Sequence, residues 1–155
     1  MIKFIESNSN KYFKLIKSLF SKKHRDEMSM FVVEGLRFVN EIPDDYDIEF
    51  YAFSETFYKK SDTENYKKRA EILVFKDELF KALSKTETPQ GILAVCHKKS
   101  FCLKEVLNYN GFYIRADKVN DPGNLGTIIR TAEAANVTAV FITKGSVSVY
   151  NEKVL

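Results

Sequence analysis

Cysteine is scarce: Cys96 and Cys102 are the only two in 155 residues, too few for a disulfide framework and in keeping with a reducing compartment. Tryptophan is absent, and histidine is limited to His24 and His97. Cys96, His97 and Cys102 lack a fourth partner at zinc-ligand spacing, and Cys96 sits in an apolar run, so no metal site is predicted. No apolar stretch approaches the roughly 20 residues that cross a bilayer. The start, Met1 to Glu6, has no signal-peptide core. These absences point to a cytoplasmic protein. Internal repeats and low-complexity tracts are also lacking, and a net charge of +3 is too small to imply a polyanionic partner by itself.

What is present is an ordinary globular composition, 45% hydrophobic and 29% charged, enough for one domain or one domain with part of another. The charge is unevenly placed. Residues 1–30 hold seven Lys/Arg against three acids, a surplus of four, which leaves −1 for the rest of the chain. Tyr12, Phe13, Leu15, Ile16, Leu19 and Phe20 recur at helical spacing, Lys11, Lys14 and Lys17 share the other face, and Ser9 or Asn10 suits the N-cap. Residues 21–27 read as a charged linker. Such a local basic field either attracts nucleic acid or is a solvated helix face.

Short apolar runs then alternate with helical patterns. Strands are predicted at 30–33, 49–53, 71–75 and 92–96, and helices at 36–42 (stopped by Pro43), 55–70 and 76–83. Thr86 to Gly91 forms a turn before the last of these strands. This is an α/β layered domain. A linker with a short helix at 101–107 and a turn at Asn108-Tyr-Asn-Gly111 leads to a strand at 111–116, a glycine-containing loop, a helix, and a strand at 139–143. That order is a βαβ unit, whose loop at the carboxyl end of the first strand is where ligands collect in open α/β sheets. The expected division is a basic helical extension (1–29), a binding domain (30–106) and the start of a second domain (107–155).

The loop and helix read Asp117-Lys-Val-Asn-Asp-Pro-Gly-Asn-Leu-Gly-Thr-Ile-Ile-Arg-Thr-Ala132. Pro122 and Gly123 suit the centre of a tight turn. Asn124 then suits the N-cap, accepting from the amide of Gly126 or Thr127. Leu125, Ile128, Ile129, Ala132 and Ala135 form the stripe that docks on the sheet. Arg130 lies away from that stripe, one turn beyond Gly126, whose missing side chain is expected to leave an open patch for a phosphate or ribose. A guanidinium there can hold an anion; the plain alternative is a surface arginine paired with Glu133. The glycines match neither the G-x-G-x-x-G fingerprint nor a P-loop.

This stretch closely resembles the first motif of the SpoU/TrmH-type RNA ribose 2′-O-methyltransferases, whose catalytic domain is a trefoil-knotted, Rossmann-like SPOUT fold. Ile5-x-Ser7, Asn10, Lys14, Leu19 and Arg25, then Phe31-Val-Val-Glu-Gly35, resemble the opening of the family's substrate-binding domain. Thr88-Pro-Gln-Gly-Ile92 and Leu93-Ala-Val95 resemble its closing strand. The resemblance implies a small α/β/α layered RNA-binding domain followed by the first βαβ unit of a SPOUT domain, without the knot. It implies catalytic roles for Arg130, which helps activate the ribose hydroxyl, and Asn124, which shapes that site. RNA contacts are expected from Lys11, Lys14, Lys22, Lys23, Arg25 and Gln90.

The family's partner is structured RNA (rRNA or tRNA), its methyl donor is S-adenosylmethionine, and its working form is a homodimer. Ser148 and Glu152 stand where an aspartate and a proline are usual. Because the donor-binding motifs would follow Leu155, this chain is expected to be an inactive amino-terminal fragment that binds RNA but no cofactor. The competing reading is a non-catalytic RNA-binding or regulatory module.

Overall fold

The structure is a computed structural model that describes residues 2–108 and 110–155. It divides into two compact units, Met1–Lys98 and Lys99–Leu155. No helix among the described residues is long and apolar enough to cross a membrane.

The first unit runs β1 (Ile2–Ile5), α1 (Lys11–Leu19), α2 (Lys22–Met28), β2 (Met30–Glu34), α3 (Leu36–Asn40), β3 (Ile48–Ser54), α4 (Glu55–Lys60), α5 (Glu64–Arg69), β4 (Glu71–Phe75), α6 (Asp77–Leu83) and β5 (Ile92–His97). Its five-stranded sheet has the order β1-β4-β3-β5-β2. β1, β4 and β3 are mutually parallel, and β5 is antiparallel to both β3 and β2. Four strands therefore run one way and end on one edge, at Ile5, Phe75, Ser54 and Glu34.

Side chains alternate across a strand, and both faces here are covered. Phe50, Ala52, Leu73, Phe75, Leu93 and Val95 pack on one face with Ile16 and Leu19 of α1 and Phe80 and Leu83 of α6. On the other face Tyr51, Phe53, Ile72 and Val74 are fully buried. There the Tyr66 ring of α5 stands edge-on to Tyr51 and Phe53, with centroids 5.1 and 5.3 Å away. Burial on both faces is why the central strands read as continuous apolar runs. The α/β/α layering expected from the sequence is therefore what forms.

Three expectations are corrected. Residues 1–29 are not a separate extension, since β1 extends the sheet beside β4 and α1 fills the core. A four-residue edge strand with exposed Phe4 carries too little alternation to be read. Residues 21–27 are not a linker but helix α2, closed by Ser29 in the left-handed region at φ 52°; with only Arg25 buried, the helix has no apolar stripe to betray it. The helix predicted over 55–70 is two, separated at 61–63, where Asp62 Oδ1 accepts from the amide of Glu64 at 3.0 Å.

The second unit contains α7 (Leu103–Val106), β6 (Tyr113–Ala116), α8 (Pro122–Ala134) and β7 (Ala139–Ile142). The turn expected at 108–111 includes Tyr109, which lies outside the described residues. β6 and β7 pair in parallel, Tyr113 opposite Ala139, and α8 is the crossover between them, so the βαβ unit forms as predicted. Its small core is Ala116, Leu125 and Val154, with Ile129, Val140 and Ile142 packed against it. Ala135, expected on the buried stripe, is instead the exposed C-cap of α8.

Candidate functional site: the head of helix α8

The loop after β6 is fixed by the loop after β7. Thr143 Oγ1 donates to Asp117 Oδ1 at 2.7 Å and accepts from the Lys118 amide at 3.0 Å. Ser146 Oγ accepts from the Val119 amide at 3.1 Å, and the Val147 amide donates to the Val119 carbonyl at 2.9 Å. Both strand ends thus deliver their loops to the amino end of α8.

The helix starts earlier than the sequence suggested. Pro122 and Gly123 are its first residues, not a turn, and Asp121 is the N-cap: its Oδ1 accepts from the Asn124 amide at 2.7 Å. Proline is suited to the first helical position because the amide it lacks would have no partner there. Asn124 is therefore a donor to the cap through its backbone. Its exposed side-chain amide has no partner among the described residues, so it remains free for another role.

Arg130 is exposed, but the patch expected beside it is not open. Its guanidinium folds back along the helix over Gly126, where a Cβ would lie 2.9 Å from Nη1 and 3.3 Å from the Val154 carbonyl oxygen. Nη2 donates to Thr127 Oγ1 at 3.4 Å, and Thr127 Oγ1 donates to the Gly123 carbonyl at 2.9 Å. Thr127 is thus oriented to offer a lone pair to the arginine, a role that sequence spacing did not single out. The alternative pairing with Glu133 does not form, and among the described residues no carboxylate neutralises Arg130. Arg130 and Asn124 share no hydrogen bond; Thr127, three residues from each, is the helical neighbour of both.

The predicted RNA-contacting residues of the first unit fall into three groups. Lys11, Lys14 and Lys22 are exposed with no ion pair among the described residues, and Lys23 makes a 3.8 Å surface pair with Glu27. Lys11 Nζ also lies 4.9 Å from the centroid of the Tyr12 ring. Arg25 differs: it is 3% exposed, and its Nη1 donates to the carbonyls of Leu19 and Phe20, both at 2.9 Å. It caps the carboxyl end of α1, and its guanidinium is buried where the lysines are exposed.

Gln90 belongs to a third setting. Its Oε1 accepts from the Leu36 amide at 2.7 Å, at the mouth of a cleft of about 380 Å³ bordered by Ser54, Thr56, Lys60, Asp77 and Lys81. Here Asp77 accepts from the hydroxyl and amide of Thr56 at 2.6 and 3.0 Å. Those bonds, the hydroxyl's first, hold its carboxyl below the usual range. This cleft lies at the carboxyl ends of β3 and β4, the side of an α/β sheet where ligands gather.

Residues 10–94 match the model of the MRM3-like substrate binding domain, and residues 111–155 match that of the SpoU rRNA Methylase family. The chain is similar to the Bacillus subtilis (strain 168) 23S rRNA (guanosine(2553)-2'-O)-methyltransferase RlmP, with 37% identity over 156 residues covering 99% of this chain and 60% of that protein. Human mitochondrial rRNA methyltransferase 3 is 30% identical over 146 residues, covering 87% of this chain and 34% of that protein. Among solved structures, an AdoMet-bound rRNA methyltransferase from Sinorhizobium meliloti superposes with a TM-score of 0.81 over 99% of this chain and 59% of its own; at 24% identity it shows a common fold. The chain thus spans between 34% and 60% of the length of these relatives.

Proposed function

The chain belongs to the SpoU rRNA methylase family and carries an MRM3-like substrate-binding domain, and from that premise we propose that its protein methylates a ribose 2′-hydroxyl of rRNA. The observation that carries the reading is Arg130: a guanidinium with no carboxylate partner among the described residues, set over a glycine at the head of α8.

A ribose hydroxyl is a poor nucleophile at neutral pH. It gains reactivity when its proton is accepted and the developing negative charge on oxygen is stabilised. A guanidinium offers donors and no acceptor, so Arg130 is not the base. It anchors the neighbouring phosphodiester in a two-pronged contact, which leaves a phosphate oxygen of the RNA to accept the hydroxyl proton, and offers a donor to the negative charge that develops on the 2′-oxygen. Asn124, with its amide free, is assigned to hold the same ribose.

S-adenosylmethionine supplies the methyl group in this reading. We assign no residue of this chain to hold it. The cavity beside α8, about 290 Å³ and walled by Ile114, Ala116 and Ile128 with Arg115, Thr127 and Thr131, lacks the convergent polar set that an adenosine and an amino-acid group require. A homodimeric enzyme, taken from the family resemblance, and a cytoplasmic one, taken from the sequence's lack of a signal peptide or membrane-length apolar run, are part of the same reading.

Substrate recognition is assigned to the first unit, through Lys11, Lys14, Lys22 and Lys23 and through the strand-end cleft at Gln90. The test is binding of an rRNA fragment across a salt series. The wild-type chain is expected to lose affinity steeply as salt rises, and replacing the four lysines by glutamine is expected to flatten the log–log slope by about 3 units. An unchanged slope would remove these lysines from the interface, and salt-independent binding or none would sink the reading.

A further inference from the structure

The face of the first sheet opposite the lysine-bearing α1 holds a cleft of about 610 Å³ between α3 and α5, bordered by Asn40, Tyr51, Asn65, Tyr66, Lys68 and Arg69. Its size is that of a small-molecule site. Tyr51, fully buried on β3, forms part of its wall, and the Tyr51 hydroxyl has no hydrogen-bond partner among the described residues. A buried hydroxyl left unpaired costs stability and invites a functional reason for its retention.

The remaining polar groups are specialised. Tyr66 donates its hydroxyl proton to Asn40 Oδ1 at 2.7 Å, which leaves the NH₂ of Asn40 as a donor. The amide of Asn65 is exposed with no partner among the described residues. The cations 67–69 divide their tasks. Lys67 pairs with Glu64 at 2.6 Å, and Arg69 donates to the carbonyls of Ile42 and Pro43 at 3.1 and 2.5 Å, fixing the cleft wall. Only Lys68 borders the cleft with no ion pair among the described residues. Asp44 and Asp62 also border it, which disfavours a polyphosphate and suits a neutral ring carrying one phosphate.

We propose that this cleft receives a single unstacked nucleotide, its base against Tyr66 and read by the amides of Asn40 and Asn65 and the Tyr51 hydroxyl, its phosphate at Lys68. Unpaired bases splayed onto aromatic side chains and hydrogen-bonded along their edges are the usual means of sequence-specific RNA reading. The inference rests on the rRNA reading for its source of nucleotide, although a free nucleotide offers the same chemistry.

The experiment titrates the chain with each of the four nucleoside 5′-monophosphates and with inorganic phosphate, followed by ¹H–¹⁵N NMR. At least one nucleotide is expected to shift the resonances of Asn40, Asn65, Tyr66 and Lys68 in a pattern phosphate alone does not reproduce. Tyr51→Phe is expected to weaken that binding about fivefold, the worth of one hydrogen bond, while raising the melting temperature by a few degrees. An orphan hydroxyl with no ligand would give the second effect without the first, and that result overturns the proposal. So does an identical pattern with phosphate, or no shift with any nucleotide.

The source is tested by competition. Displacement of the nucleotide by an rRNA fragment supports a base from the strand, and its failure overturns that assignment. If the fragment binds through the lysines while no nucleotide enters the cleft, this inference falls and the rRNA reading stands. If no rRNA binds, the reading itself falls.

Discussion

Gly126 and Arg130 occupy the same strip of α8, one turn apart, and the guanidinium of one fills the space where a side chain on the other would be: a Cβ at 126 would meet Arg130 Nη1 at 2.9 Å and the Val154 carbonyl at 3.3 Å. The glycine is thus a seat for the arginine and for the backbone that returns against the helix. Alanine there gains about 1 kcal/mol of helix propensity, which offsets the crowding against Val154. Gly126→Ala is therefore expected to leave the melting temperature nearly unchanged. It displaces the guanidinium, so the methyl transfer proposed for the whole protein should fall by about tenfold or more. A variant with wild-type transfer would show that Arg130 does not work from this seat.

Asp121, not Asn124, caps α8, accepting from the Asn124 amide at 2.7 Å. Loss of the cap in Asp121→Ala should cost about 1 kcal/mol and speed amide exchange at Asn124. Asn124→Ala should leave stability within about 0.5 kcal/mol while lowering transfer. Denaturant melts and hydrogen exchange on the two variants decide it; a reversed order would restore Asn124 as the cap.

Arg25 is expected to matter for folding and not for RNA. Its removal frees two helix-end carbonyls in a buried setting, and Arg25→Ala should cost about 2–3 kcal/mol in urea melts. At temperatures where the variant stays folded, its salt slope for RNA should equal that of the wild type. Lys14→Gln should do the opposite, keeping stability and lowering the slope.

Alkaline pH should unfold the first unit early. Burial pushes the Cys96 thiol up from its ordinary 9.0 to about 12 and the Tyr51 phenol up from 10.0 to about 12. The unfolded chain releases these protons at the ordinary values and the folded chain holds them, so stability is intact below pH 9 and is lost as pH rises toward 12. Each unit of separation is worth about 1.4 kcal/mol. The combination of Cys96→Ala and Tyr51→Phe should shift the alkaline limb of a pH–stability curve upward, and an unmoved limb would show that other groups cause it.

The two units should differ in local stability. Every residue of β7 is only partly buried and Phe112 is 58% exposed, whereas β5 is buried along nearly all its length. Amide exchange in β6 and β7 is therefore expected to be much faster than in β3, β4 and β5. Equal protection in both units would contradict this.

What could be read from the residues alone was whatever depends on local pattern. Doubly buried strands announce themselves as Ile92-Leu-Ala-Val-Cys96 does, because each position is apolar whichever face it meets. Gly126 and Arg130 were legible as neighbours because i and i+4 must adjoin on any helix. β1 and α2 were not legible, since an edge strand and a helix anchored by one buried arginine have almost no periodic signal of their own.

The alternation of elements and the βαβ order around residues 111–143 were already set by spacing and residue type, and the resemblance of the motifs pointed to the family. Which side chains cap a helix, which are buried and which face water followed from packing between segments distant in the chain. Asp121 and Asn124 are equally good caps in isolation, and the loop tied to Thr143 and Ser146 chose between them. Arg25 and Lys14 carry the same charge, but packing against the end of α1 buried one and left the other in water. Arg130 could have paired with Glu133; the returning chain at Val154 and the hydroxyl of Thr127 set it over Gly126 instead, because side-chain direction depends on neighbours distant in sequence.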